Sequence, residues 1–259
     1  MTIEAKVIAH SSSEGSPDLI SLALRYPRFI HAELMTHRVF SRSASSSRAV
    51  PIWRMIRDVL RDPARPVAWG SNKPGMQAGR GLTGLRLWIV QSIWMLGCYL
   101  AVALAWVAMK AGAHKQIVNR ILEPWAHISV IVTATDWENF FSLRCHPAAD
   151  PTMRALAEAM EDAIFRSTAK PLGWLEWHQP YAEDGSAEQS AARCARVSYL
   201  RHDGTAPSIE DDERLASTLL TERHMSPFEH QATPTPGERH HNLRGWMSQR
   251  AMMENTKCL

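Results

Sequence analysis

Residues 87–109, from Leu87 to Met109, read LWIVQSIWMLGCYLAVALAWVAM; they carry no charge, and Arg86 and Lys110 bound them on either side. That is length enough for a helix to cross the roughly 30 Å hydrocarbon layer of a bilayer. It is equally the composition of a long helix buried on all sides in a bundle or an oligomer core. Taken alone the stretch allows both, so its surroundings decide whether the fold is that of a membrane protein or a globular one.

Those surroundings are globular in composition. The chain has 259 residues, 45% of them apolar and 21% charged, which supports a sizeable core and fits one domain over 1–259. The same figures exclude a disordered chain, a collagen-like repeat and a coiled coil. A formal net charge of +3 gives no strong field for polyanions. The basic residues are more telling, because 23 are Arg and only 6 are Lys. The planar guanidinium fork suits phosphate and carboxylate, so the bias favours an anionic ligand; a G+C-rich genome would produce the same bias. Cys98, Cys145, Cys194 and Cys258 stand far apart, with no Cys-x-x-Cys or Cys/His ligand spacing, so no metal site is expected. The start, MTIEAKVIAH, lacks a basic segment followed by an apolar one. No signal peptide is therefore expected, and the expected setting is the reducing cytoplasm, with free thiols.

The local pattern predicts a strand over 3–9 and apolar helical spacing over 16–40, interrupted at Tyr26-Pro27. Residues 41–47 read as a hydroxyl-rich loop, 51–62 as a short amphipathic helix and the Pro/Gly-rich 63–84 as a loop. One or two long helices follow over 85–124, with a break near Gly112. The β-branched 127–135 reads as a strand, after which Asp136 caps a helix containing WENFFSLR. Helices are expected over 151–168 and 208–223, the latter with acids in its first turn. Residues 169–190 read as loop, 191–200 as mixed, and 224–241 as a His/Pro loop before a terminal RGWMSQRAMME segment.

Four segments place chemistry-bearing side chains together. From Thr36 to Arg48, THRVFSRSASSSR holds three Arg and five Ser in 13 residues. Forks, hydroxyls and backbone N–H groups at that density suit a phosphate, or else a solvated loop or a nucleic-acid contact. HMSPFEH, 224–230, has two His and a Glu, but its spacing is not that of a zinc hydrolase, and Pro227 spoils a helix there. Lys115–Pro124 sets Arg120 on an apolar helix, with Glu123 or a ligand phosphate as its partner. Asn139–His146 again sets polar groups, including Arg144, among apolar ones.

Together these segments resemble one family, the flavin-dependent thymidylate synthases. HRVFSRSASSSR is similar to that family's signature, Arg-His-Arg followed by Ser, Asn-Glu, Ser and Arg. HMSPFEH resembles its His-Glu-Thr-Pro-Phe-Glu-His, NRILEP its phosphate-binding Arg segment, TDWENFFSLR the helix whose last Arg meets the pyrimidine, and ARCARVSYL its Ala-Ala-Arg-Val-Ser segment. The resemblance implies flavin contacts from His37, Arg38, Asn139, Ser226 and Glu229. It implies nucleotide binding by Ser45, Ser46, Ser47, Arg48, Arg120 and Arg144, with Arg144 and Ser46 nearest the chemistry. Several positions depart from the pattern: Thr36 for the first Arg, Ser43-Ala44 for Asn-Glu, and Thr133 and Thr135 where Asn and Arg are usual. The order differs too, since the signature comes first and HMSPFEH last, and Arg244–Arg250 resembles a degenerate second copy of the signature's start. FIHAELMTHRVFSR and WGSNKPGMQA fit a phage-type, permuted branch.

The resemblance implies an α+β fold, with a small, mostly antiparallel sheet packed against long helices, in a soluble homotetramer whose sites lie between subunits. It implies burial of 87–109 in a core, and no membrane or nucleic-acid partner. The implied reaction is methylation of dUMP to dTMP with FAD, NADPH and methylene-tetrahydrofolate. None of the four cysteines has the flanks of an activated nucleophile, which agrees with a flavin route. Methylation or hydroxymethylation of dCMP or dUMP, a non-catalytic nucleic-acid-binding protein and a membrane protein are the alternatives.

Overall fold

A computed structural model describes residues 3–182, 185–198, 200 and 204–256; Cys258, and Tyr199 of the ARCARVSYL segment, lie outside them. In chain order the elements are β1 (Glu4–Ser13), β2 (Ser16–Pro27), α1 (His31–Leu34), β3 (Ser41–Ala44), α2 (Ile52–Arg61), α3 (Gly84–Lys110), α4 (Lys115–Leu122) and β4 (His127–Ala134). There follow α5 (Glu138–Arg144), α6 (Pro151–Phe165), β5 (Lys170–Pro171), α7 (Ala187–Arg196), α8 (Ile209–Thr221), β6 (Ala232–His240), β7 (Leu243–Ser248) and α9 (Gln249–Thr256). The architecture is α+β, as the resemblance implies.

Five strands pair in the order β3-β4-β2-β1-β5, antiparallel except for the short β1/β5 pair. β2 and β4 lie at the centre and bury both faces. One face is apolar: Ile20, Leu22, Leu24 and Tyr26 meet Ile128, Val130 and Val132, beneath Phe140 of α5 and Met153, Leu156 and Met160 of α6. On the other face the alternating positions are largely polar, with Ser21 opposite Thr133 and Ser41 opposite the same threonine. Ile131 packs there against Cys194 and Val197 at the end of α7.

This arrangement corrects the helical reading of 16–40. Only the 3-10 turn Arg28–Ile30 and the four residues of α1 are helical there. Ile20, Leu22, Leu24 and Tyr26 have period two, and Leu19 and Ser21 fill the opposite face. A strand buried on both sides loses the polar alternation that would identify it. Ser41–Ala44 is likewise an edge strand rather than loop, and 232–248 forms a hairpin. Asp136 does not cap α5, whose N-cap is Trp137 with no side-chain bond. Its carboxylate instead pairs with Arg239 at 2.6 Å and Arg244 at 3.0 Å. Where caps do form they follow the sequence: Asp150 accepts from the N–H groups of Thr152 and Met153, and Ser208 with Asp211 closes a capping box on α8.

The apolar stretch forms α3 as expected, and the chain turns at Gly112 (φ +83°) before α4. Within the chain it is covered on one side. One side, with Cys98, Ala101 and Ala105, packs on Met55 and Val59 of α2 and on Val118 and Leu122 of α4. Gly97 admits the Trp125 ring, which would lie 3.0 Å from an added Cβ. The rest of the helix is exposed, and only 17% of its most apolar window is buried within the chain. It is long and apolar enough to cross a membrane by length and composition.

Candidate functional site

Loop 36–48 is positioned by burial at both ends. At its start Phe40 is 1% exposed and packs against Trp137 and Phe140. His37, stacked on Phe40 and edge-on to Phe140 at 4.8 Å, is buried with it. The last residue of α5, Arg144, reaches back across this cluster. Its Nε donates to Nε2 of His37 at 3.0 Å, one Nη donates to Oγ1 of Thr36 at 3.1 Å, and the other lies 3.6 Å from the Glu33 carboxylate. A guanidinium can only donate, so Nε2 of His37 carries the lone pair and the ring is neutral. Burial, then the cations Arg144 and Arg42, hold the His37 pKa below its usual value. Burial and the nearby Asp150 raise that of Glu33 against the pull of Arg144.

At its far end the loop is tied to β4 and α4. The backbone N–H of Ser45 donates to the Ser129 carbonyl at 2.9 Å, and the Ser129 N–H donates to the Ser45 hydroxyl at 3.2 Å. Ser47 Oγ donates to Glu123 at 2.8 Å, and Asn119 Nδ2 donates to the carbonyls of Ser47 and Val50 at 2.7 and 2.9 Å. Glu123 also pairs with Arg28 at 3.2 Å, whereas Arg120 comes only to 3.9 Å and leaves its side chain 63% exposed. Ser46 and Arg48 project between these anchors, both exposed. Arg48, Arg120 and the Ser46 hydroxyl thus stand at one end of the loop, and Arg144 with His37 at the other.

The third contact comes from 224–230. His230 is fully buried; its Nε2 meets Ser43 Oγ at 2.9 Å and its Nδ1 meets Thr133 Oγ1 at 2.8 Å. Thr133 continues to Ser21 at 2.5 Å, Ser21 to His178 at 2.8 Å and His178 to Ser11 at 2.8 Å. This file of hydrogen bonds crosses the polar face of the sheet from β1 to the signature loop. Burial keeps both histidines neutral, with pKa values pulled down to about 3. Glu229 pairs with Arg250 at 2.5 Å, and His224, on the surface, with Glu222 at 3.3 Å. The two His and the Glu of HMSPFEH therefore share no common partner. Ser226, Asn139 and Arg38 are exposed.

Reading the sequence alone missed partners that set this geometry, Glu33, Ser21 and His178, and marked Thr133 only as a departure from the family's pattern. Each is a common residue in an ordinary local context, and only sheet pairing brings it to the loop. Also missed was a cavity of about 870 Å³, in which Ser45 alone of the expected site residues takes part. The described cysteines, Cys98, Cys145 and Cys194, are free, and burial raises each thiol pKa, that of Cys145 to about 11 with help from Glu161 and Glu158.

No protein-family model matches the chain, and no curated protein matches it. Among solved structures it is similar to a UMP/dUMP methylase, PolB from Streptomyces cacaoi, bound with 5-Br dUMP. The identity is 17%, over 63% of this chain and 90% of that one, with a TM-score of 0.48. It is also similar to Thymidylate Synthase X (ThyX) from Helicobacter pylori with FAD and dUMP, at 17% identity over 56% of this chain and 67% of that one, with a TM-score of 0.39.

Proposed function

We propose that this chain is a flavin-dependent thymidylate synthase of a permuted branch, methylating dUMP to dTMP with FAD, NADPH and methylene-tetrahydrofolate. The observation that carries the reading is convergence. Three segments far apart in sequence, 119–123, 133–144 and 230, each hydrogen-bond to loop 36–48. They are the segments whose motifs resemble one family, and a shared site requires them to meet.

The donor set fits a flavin dinucleotide. Arg38, Ser226 and Asn139 offer exposed polar groups, and the neutral His37 sits against two phenyl rings. These residues and Glu229 would hold the cofactor, which when bound supplies the hydride chemistry. The nucleotide phosphate falls to Arg48, Arg120 and Ser46. Ser47 already donates its hydroxyl proton to Glu123 and so braces the turn. Gripping the phosphate fixes the position of the ring. Arg144 stabilises negative charge developing on the pyrimidine, and its bonds to Glu33, Thr36 and His37 preset its position.

The reading includes a cytoplasmic homotetramer with sites between subunits. The exposed side of α3 supports self-association: Ile89, Ile93, Leu96, Leu100, Ala103 and Val107 recur at alternating steps of four and three, the spacing of a helix-pairing seam. A spanning α3 fits less well. Its middle packs on α2, whose Arg54, Arg57, Asp58 and Arg61 would then lie at bilayer depth.

The test is the visible absorption spectrum of purified protein, before and after NADPH under anaerobic conditions, followed by the mass of the product from dUMP and from dCMP. A flavin spectrum that bleaches and a product 14 Da heavier than dUMP are expected, the mass of one added CH₂ (roughly, from the transfer of one carbon unit). Protein that stays colourless with added FAD overturns the reading, and a heavier hydroxymethyl product or turnover of dCMP alone changes the substrate or reaction.

A further inference from the structure

The polar face of the sheet carries one hydroxyl from each of four neighbouring strands, in spatial order: Ser43 of β3, Thr133 of β4, Ser21 of β2 and Ser11 of β1. Neighbouring strands stand about 4.8 Å apart, so the row spans about 14 Å. Two imidazoles from outside the sheet complete it. His230 bridges Ser43 and Thr133, His178 bridges Ser21 and Ser11, and Thr133 meets Ser21 directly, each contact at 2.9 Å or less. The four inner groups are at most 1% exposed, and only the terminal Ser11 and Ser43 keep a little more, 5% and 6%. Among the described residues these six side chains make no other hydrogen bond.

Counting hydrogens fixes what this file can do. A hydroxyl has one hydrogen, and a neutral imidazole has one across its two nitrogens. Burial keeps both rings neutral. Each inner group therefore donates to one neighbour and accepts from the other, so all the donors point the same way and one terminal hydrogen is left over. In one arrangement Ser11 donates to His178, the bonds run on to Ser43, and the Ser43 hydrogen points out of the file. In the other Ser43 donates to His230, and the Ser11 hydrogen points out. Both rings carry their hydrogen on Nε2 in the first arrangement and on Nδ1 in the second. A mixed arrangement sets two lone pairs or two hydrogens against each other and leaves a buried bond unmade.

We propose that the file is a reversible proton shuttle for loop 36–48, in which Ser43 takes up a proton from a group bound at the loop and later returns one, while Ser11 releases and regains one at the far end. On uptake the Ser43 hydrogen moves to Nε2 of His230, and the Nδ1 hydrogen of His230 moves to Thr133. The Thr133 hydrogen moves to Ser21, that of Ser21 to Nε2 of His178, the Nδ1 hydrogen of His178 to Ser11, and the Ser11 hydrogen to water. Every group ends neutral with one hydrogen, and nothing is oxidised or reduced. Turning a hydroxyl cannot carry hydrogen between the two nitrogens of a ring, so a second proton follows only after the first has come back. The file thus lends and recovers a single proton, which suits a reaction that needs a base and then an acid at one place. His178, Ser21, Thr133 and His230 act through Ser43 and are positioning residues. The linked hydrogens do not depend on the thymidylate reading; the use of the proton at the loop rests on it.

The test reads the ring tautomers by nitrogen NMR of the full chain. A buried N–H is left orphaned less readily than a lone pair. Ser11→Ala therefore drives His178 to Nε2–H and, through the file, His230 with it, whereas Ser43→Ala drives both rings to Nδ1–H. Whichever tautomer the wild type holds, one of the two substitutions must switch the ring it does not touch. Opposite tautomers in the wild type overturn the proposal, as do end substitutions that move only the adjacent ring; the wild-type comparison decides even where a variant fails to fold. In turnover of dUMP, Thr133→Val cuts the file and lowers kcat by roughly tenfold or more with KM unchanged, and Thr133→Ser restores it. Linked tautomers with undiminished turnover in Thr133→Val overturn the shuttle and leave the thymidylate reading standing. Linked tautomers in a wild type that does not turn over dUMP overturn that reading and leave the file standing.

Discussion

His178 and His230 make stability depend on pH in a way that can be calculated. Both are fully buried and neutral in the folded chain, with pKa values near 3 against an ordinary 6.5. Below pH 6.5 the unfolded chain takes up a proton at each ring and the folded chain does not. Stability therefore falls as pH falls, beginning near 6.5 and ending only near 3. Between pH 7.5 and 5.5 each histidine removes about 1.4 kcal/mol, so the pair removes about 3 kcal/mol. That is a large part of the stability of a typical domain. Urea unfolding at both pH values measures the fall. Other groups titrate in the same interval, His127 among them, so the decisive quantity is a difference. A His178→Gln/His230→Gln variant keeps an amide in each place, and its loss between the two pH values should be smaller by about 3 kcal/mol. It will be less stable at pH 7.5, because the Ser11–His178–Ser21 and Thr133–His230–Ser43 bonds are disturbed, but that offset does not affect the slope. A variant that loses as much on acidification as the wild type would refute the reasoning, because the two rings could not then be the groups denied their protons.

Three further outcomes follow from the same contacts. Arg48→Ala and Arg144→Ala should each lower turnover of the pyrimidine nucleotide by roughly 10²-fold or more, the size of effect seen when a preorganised donor is removed; wild-type turnover in both sinks the site assignment. Asp212→Asn should destabilise the chain by about 3–5 kcal/mol in chemical denaturation, since Arg193 and Arg196 both depend on that buried carboxylate. Leu96→Glu with Leu100→Glu, two exposed positions on α3, should reduce the mass found by light scattering to that of a smaller assembly; an unchanged mass would exclude the α3 seam.

Much of the helical half of the fold was legible in the sequence. α2, α3, α4, α6 and α8 fall where periodicity, Pro and capping residues put them, because those signals act within a few residues along the chain. The strand β4 was legible for the same reason, as a β-branched run. β2 was not. Its apolar residues satisfy a helical spacing as well as a strand's, and only pairing with β1 and β4 on its two sides decides between them. The hairpin of β6 and β7 was hidden similarly, behind prolines and histidines that read as loop.

The site divides along the same line. Which segments gather Arg, Ser, His and Glu is a local fact, readable along the chain. The tertiary structure decided what each can do: it turned His37 into a neutral acceptor beneath Arg144, set Ser47 to brace its turn through Glu123, and paired Glu229 with Arg250. It also decided the fate of Leu87–Met109. Hydropathy fixes that these residues avoid water, yet not what shields them. Within the chain only the side facing α2 and α4 is covered, because burial depends on which surfaces meet, and that is a property of the assembled fold.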